Sequence, residues 1–164
     1  MTSTVGGMKT IPDGYTTVTP WLISKDTASE LEFIRAAFGG QELARVESED
    51  GSIGHAETRI GDAVVLLFDA PADWPPTPCV LRLHVEDAEE TYRRARAAGA
   101  EAVTEPTELF WGDKVGRVRD PLGNLWWIQQ RVAEPTPDEM TERATRPEFV
   151  DAMSYVQSGR LIRS

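Results

Sequence analysis

Apolar and polar positions alternate with period two from Tyr15 to Ile23, then shift to helical spacing at Leu31, Ile34 and Phe38. Alternation marks a strand with one buried face, and the longer spacing marks an amphipathic helix. Asp26 stands where an N-cap belongs and Gly39-Gly40 where a left-handed stop belongs, so the helix is bracketed at both ends. Strand patterns follow over Gln41–Ser48, Ser52–Ile60 and Ala63–Phe68, parted by the turn segments Glu49-Asp50-Gly51 and Gly61-Asp62. The plan then recurs. Cys79–Val85 reads as a strand, Asp87 opens a helix over Ala88–Ala98 that stops at Gly99, and strands are predicted near Glu101–Thr104, Gly116–Arg119 and Leu125–Arg131.

Each half is therefore βαβββ, and the repeat is itself an architectural signal. A four-stranded sheet with one helix buries only one face, so the two halves are expected to pair. The expected fold class is α+β: two βαβββ modules forming a curved mixed sheet around a cleft, plus a C-terminal helical tail. Residues 1–14, with Gly6, Gly7, Pro12 and Gly14, read as a flexible arm; 15–70 and 79–131 are the modules; 71–78, with four prolines around Trp74, is a linker. In the tail, residues 132–164, Thr136-Pro137-Asp138-Glu139 is a capping box with proline at the first helical position. A helix to about Arg143 follows, Pro147 interrupts it, and Phe149–Val156 adds a further turn or two. Met140, Phe149, Met153 and Tyr155 need a surface to cover, on this chain or on a partner.

Composition narrows the function classes. The formal net charge of −10 argues against a phosphate backbone as partner. It suits a cationic small ligand, if weakly. No apolar stretch reaches membrane-spanning length, and the start lacks a charged-then-apolar leader pattern. The single cysteine, Cys79, has no internal partner for a disulfide, and a cytoplasmic location is the default expectation.

Asp120-Pro121-Leu122-Gly123-Asn124 reads as a turn feeding the strand Leu125-Trp126-Trp127-Ile128, and Phe110-Trp111-Gly112-Asp113 precedes it. Together these segments resemble the signature of the vicinal oxygen chelate superfamily, which includes glyoxalases, extradiol dioxygenases and bleomycin-sequestering proteins. The Phe-Trp-Gly-Asp segment is similar to its PhnB-like branch. The resemblance implies four metal-ligand positions, on the first and last strand of each module. Placed on this chain they hold Thr19, Leu66, Val80 and Trp127, with Asp69 the only carboxylate close to any of them. Imidazole and carboxylate are the usual ligands for such metals, so no metal and no cofactor is expected. A site improvised from His55, Glu57 and His84, which include the chain's two histidines, is less favoured than their serving as polar lining, with Glu57 bonded to Arg59 or Arg82.

Alternation converts those positions into a lining set: Thr19, Trp21, Phe68, Arg82, His84, Trp127 and Gln129, with His55 and Glu57 from the third strand and Trp111 folding over from a long loop. Trp126, on the opposite parity, belongs to the core. Flat rings with few polar anchors suit a small aromatic ligand. The expected function is metal-independent binding, with no catalytic residue, of a flat aromatic or antibiotic-like molecule by a homodimer. The alternative is a lyase, isomerase or dioxygenase-type enzyme that uses His84 and Glu57 as an acid/base pair or a non-standard metal site.

Overall fold

The computed structural model describes residues 4–5 and 7–162. Of the arm expected over residues 1–14, residues 1–3 and 6 lie outside the described residues, as do 163–164 of the tail. Within the arm, β1 (Thr4–Val5) pairs antiparallel with β2 (Met8–Lys9), so the segment carries a short ladder where only loose chain was expected.

The chain divides into two compact units, residues 1–78 and 79–164. In the first, β3 (Trp21–Ser24) leads into α1 (Thr27–Phe38), then β4 (Gln41–Glu47), β5 (Ile53–Ile60) and β6 (Ala63–Asp69). The sheet order is β3-β6-β5-β4, with β3 parallel to β6 and the other pairs antiparallel. The Asp26 carboxylate accepts from the Ser29 amide at 3.0 Å, and Gly39 closes α1 at φ 68°. Leu31 and Ile34 are buried, as the helical spacing required, and Leu22, Ala56 and Leu67 lie fully buried with them. β3 is shorter than its alternation suggested. Tyr15–Pro20 is irregular, because Tyr15 turns away to bond a side chain on β5.

The second unit repeats the plan with β7 (Val80–His84), α2 (Ala88–Ala97), β8 (Glu101–Glu108), β9 (Asp113–Arg119) and β10 (Leu125–Arg131), ordered β7-β10-β9-β8. The fold is thus α+β, with one four-stranded mixed sheet per unit and C-terminal helices. β8 and β9 run longer than the sequence suggested. Pro106 ended the strand pattern of β8 early, but β8 is an edge strand, and its register shift between Thr104 and Thr107 absorbs the proline. The long loop expected before β9 is a tight turn, Leu109–Gly112, in which the Gly112 amide donates to the Leu109 carbonyl at 3.0 Å.

Asp120 explains the turn motif. One of its carboxylate oxygens accepts from the Leu122 and Asn124 amides, each at 2.9 Å, and the other from the Trp126 indole at 2.7 Å. The Asn124 side chain accepts from the Cys79 amide at 2.9 Å, which anchors the chain entering β7 beside β10. The motif therefore builds a corner and buries Trp126 on the face that α2 covers. Α hydrogen-bonded capping box opens α3 (Pro137–Arg143), and α4 (Pro147–Ser158) is a full three-turn helix, longer than expected. No helix among the described residues is long and apolar enough to cross a membrane.

Candidate functional site

Each sheet has one face under its own helix and one turned away from it; the two outer faces differ. On the first unit the register sets Trp21 beside Leu66 and Ile23 beside Phe68. Trp21 meets Phe68 edge to face with centroids 5.4 Å apart, and Phe68 meets Trp74 in the same way at 6.1 Å. The sequence places Trp74 only within the proline-rich linker. Lys25 places it, donating to the Pro71 carbonyl at 3.1 Å and the Trp74 carbonyl at 2.7 Å, so the proline-rich segment is tied to the end of β3. The trio is open: Trp21 is 52% exposed and Trp74 45%.

Beside it on β5, Glu57 accepts a short hydrogen bond from the Tyr15 hydroxyl and bonds His55 Nε2 at 3.0 Å. These bonds, Tyr15 first and His55 second, hold the Glu57 carboxyl below its ordinary range, and the same bond raises the Tyr15 pKa. The expected Arg59 or Arg82 partner of Glu57 is replaced by these two groups. The correction has a plain cause: the segment before β3 is irregular, which frees Tyr15 to reach across the sheet. The acid/base pair of the enzymatic alternative is also re-partnered, since the histidine bonded to Glu57 is His55, and His84 is an exposed residue of the second unit.

On the second unit, β10 sets Trp127 between Arg82 of β7 and Arg117 of β9 in register. Both guanidinium groups lie over its ring, 5.1 and 4.9 Å from the centroid. Leu109, Val115 and Val156 form a small core against which Trp111, Trp127 and Met153 pack. Trp111 is therefore not a flap. Its indole donates to Asp113 at 3.0 Å, and Asp113 also accepts from the buried Gln129 at 2.6 Å, so two residues expected to line a pocket serve instead to tie the start of β9 to the end of β10. The expectation missed α4, which crosses this face. Arg117 donates to the Val156 carbonyl and, at 3.0 Å, to the Thr104 hydroxyl; Arg119 donates to the Arg160 and Leu161 carbonyls at 3.1 Å each. Burial lowers the Arg117 pKa from its ordinary value. Gly159 permits the approach, because a Cβ there would fall 2.8 Å from Thr104 and 3.1 Å from Arg117.

The residues at the implied metal positions do not fit a metal. Leu66, Val80 and Trp127 offer no ligand atom suited to one, and Thr19 lies in the irregular segment before β3. Asp69 belongs to β6, with its two oxygens held by the Thr27 and Ile53 amides at 2.7 and 2.8 Å. Among the described residues no three His, Cys, Asp or Glu side chains are grouped to hold an ion.

Comparison with known proteins agrees with this architecture. A model of the glyoxalase/bleomycin resistance protein/dioxygenase superfamily matches residues 14–128. An uncharacterized protein of Mycobacterium bovis is 36% identical over 134 residues, covering 75% of this chain and 88% of that protein. Among solved structures, TioX from Micromonospora sp. ML1 is similar with a TM-score of 0.61 at 24% identity, over 71% of this chain and 99% of that one. The bleomycin resistance determinant encoded on transposon Tn5 is similar with a TM-score of 0.55 at 23% identity, over 71% and 98%. The chain belongs to the glyoxalase/bleomycin resistance protein/dioxygenase superfamily.

Proposed function

We propose that this member of the superfamily is a metal-independent binding protein for a flat aromatic small molecule of antibiotic type, within the PhnB-like branch. The observation that carries the reading is the open trio of Trp21, Phe68 and Trp74. Large rings left half in water on a sheet face are a stacking surface, and aromatic pairing contributes about 0.5–1.5 kcal/mol per ring beyond the area it buries. Its polar companions, Glu57 and His55, supply the few directional groups such a site needs. The absence of suitable donors at the metal positions favours binding over metal chemistry, and the Tn5 neighbour, described as a bleomycin resistance determinant, has the same fold. On the second unit, His84, Arg82 and Trp127 belong to the reading as ligand-facing positions of that unit's own sheet.

Tryptophan-fluorescence titration with bleomycin and with a quinoxaline peptide such as echinomycin tests it, with mass analysis of the ligand afterwards. Saturable quenching with unchanged ligand mass is expected. A changed ligand mass would favour the enzymatic alternative, and no saturable response to any flat ligand would contradict binding. The reading includes a homodimer, for which the exposed apolar residues Val18, Val46 and Val80 are available contact surface. Light scattering checks it, and a monomer mass at micromolar concentration would count against it.

A further inference from the structure

Three arginines converge on the outer face of the second unit's sheet; Glu101 of β8 lies opposite Arg119, and no carboxylate stands in register beside Arg82 or Arg117. Arg82 and Arg117 flank Trp127 in register, and Arg119 lies two residues along β9. Among the described residues neither Arg82 nor Arg117 stands among the ion-paired arginines. Yet the chain has 27 Asp and Glu against 17 Lys and Arg. Arg35, Arg45, Arg93, Arg131, Arg143 and Arg146 each sit within 4.0 Å of a carboxylate. Arg117 and Arg119 are only 3% and 6% exposed, and a buried cation without a counter-charge is unfavourable. Their donors go instead to neutral oxygens, the Thr104 hydroxyl, the Gly123 carbonyl and carbonyls of the chain's own tail, which satisfy hydrogen bonds but carry no net charge. Arg82 is exposed, and its contact is the Trp127 ring. The Trp127 indole N–H is buried with no acceptor.

We propose that this face binds an oxyanion, carboxylate or phosphate, carried on a flat ring, and that the tail helix is its built-in competitor. An oxyanion beside Arg82 and Arg117 supplies the missing counter-charge, accepts paired guanidinium bonds, and offers an acceptor to the orphaned indole. The ring that carries it lies against Trp127. α4 is suited to giving way. Of its 12 residues only Phe149 and Val156 are buried, and its N-cap residue, Arg146, makes no side-chain capping bond. A helix of that length has little stability apart from its packing. The net charge of −10 suggested a cationic ligand, but the groups flanking Trp127 on this face, Arg82 and Arg117, are both cationic. The proposal rests on the reading that the chain binds flat small molecules, and gives the second unit's face a negatively charged one.

Calorimetric titration of the full-length protein with 2-naphthoate and with its neutral isostere 2-naphthamide tests it, alongside amide exchange in α4. The carboxylate is expected to bind about tenfold or more tighter than the amide, as a charge-assisted bond requires. That preference should vanish in Arg82→Gln, whose exposed position leaves the fold intact, and α4 amides should exchange faster at saturation. 2-Naphthyl phosphate in the same series shows which oxyanion the face prefers. Equal affinities for naphthoate and naphthamide, or a preference that survives Arg82→Gln, would overturn the anion site while leaving aromatic binding in place. Exchange in α4 that is unchanged or slowed at saturation would overturn the tail's role as competitor. No binding of naphthoate would overturn the anion site whatever the fluorescence titration shows.

Discussion

The two units share one chain plan and finish it in opposite ways. Their helix-covered faces are closed alike: Leu22 and Leu67 in the first and Trp126 and Ile128 in the second are fully buried. Their outer faces diverge. The first leaves Trp21 and Trp74 about half exposed, whereas the second lays α4 across its sheet, with buried Arg117 bonded to α4 and buried Arg119 to the residues that follow it. Both units are therefore closed on the helix faces, where the repeats agree, and only the second also buries part of its outer face. The proposed ligand chemistry is placed where they differ.

Three tryptophans probe that division in order of effect. Trp126→Ala removes a fully buried indole and its bond to Asp120, and should cost about 3–5 kcal/mol in urea unfolding. A loss below about 1 kcal/mol would mean that the α2 face is not the second unit's core. Trp127→Ala should cost less, about 1–3 kcal/mol, since the ring is half-buried and its losses are two guanidinium contacts and packing against Val156. Faster amide exchange confined to α4 should accompany it. Trp21→Ala should leave stability within about 0.5 kcal/mol while weakening flat-ligand binding by about ten- to a hundredfold. If Trp21→Ala unfolds the protein, the first unit's outer face is core and the comparison fails.

The smallest effect concerns the Tyr15–Glu57–His55 cluster. Glu57 has a depressed pKa, so its contribution is present above the unfolded carboxylate value of 4.5 and is lost as pH falls through the lower folded value. The Tyr15 pKa is raised, so its contribution is present below the unfolded value of 10.0 and is lost as pH rises through the higher folded one. Tyr15→Phe should cost about 1 kcal/mol between those limits, and the difference from wild type should shrink at both pH extremes. A pH-independent difference would show that the bond to Glu57 is not what holds Tyr15.

Much of this division could be read before the structure, because it follows from local chemistry. Asp26 with Gly39 and Asp87 with Gly99 punctuate the helices by capping, and strand alternation placed Trp126 and Trp127 on opposite faces of β10. What escaped depends on contacts distant in sequence. Tyr15 has the alternation of a strand residue, and only its bond to Glu57, 42 positions away, takes it out of one. Pro106 breaks a strand pattern but not an edge strand. Trp74 joined the stacking surface through Lys25, whose lone charge carried no such signal. The apolar spacing of α4 showed that it would cover something; that it covers β8 and β9 rests on Arg117, Arg119 and the room at Gly159.

The central claim, that a flat ligand stacks on the first unit's open rings, is tested most directly by the indole N–H signals of the chain's five tryptophans in a ¹⁵N-labelled sample titrated with echinomycin. The Trp21 and Trp74 signals, assigned by single substitution, are expected to shift saturably while that of Trp126 stays in place. Saturation that leaves Trp21 and Trp74 unmoved would contradict the account.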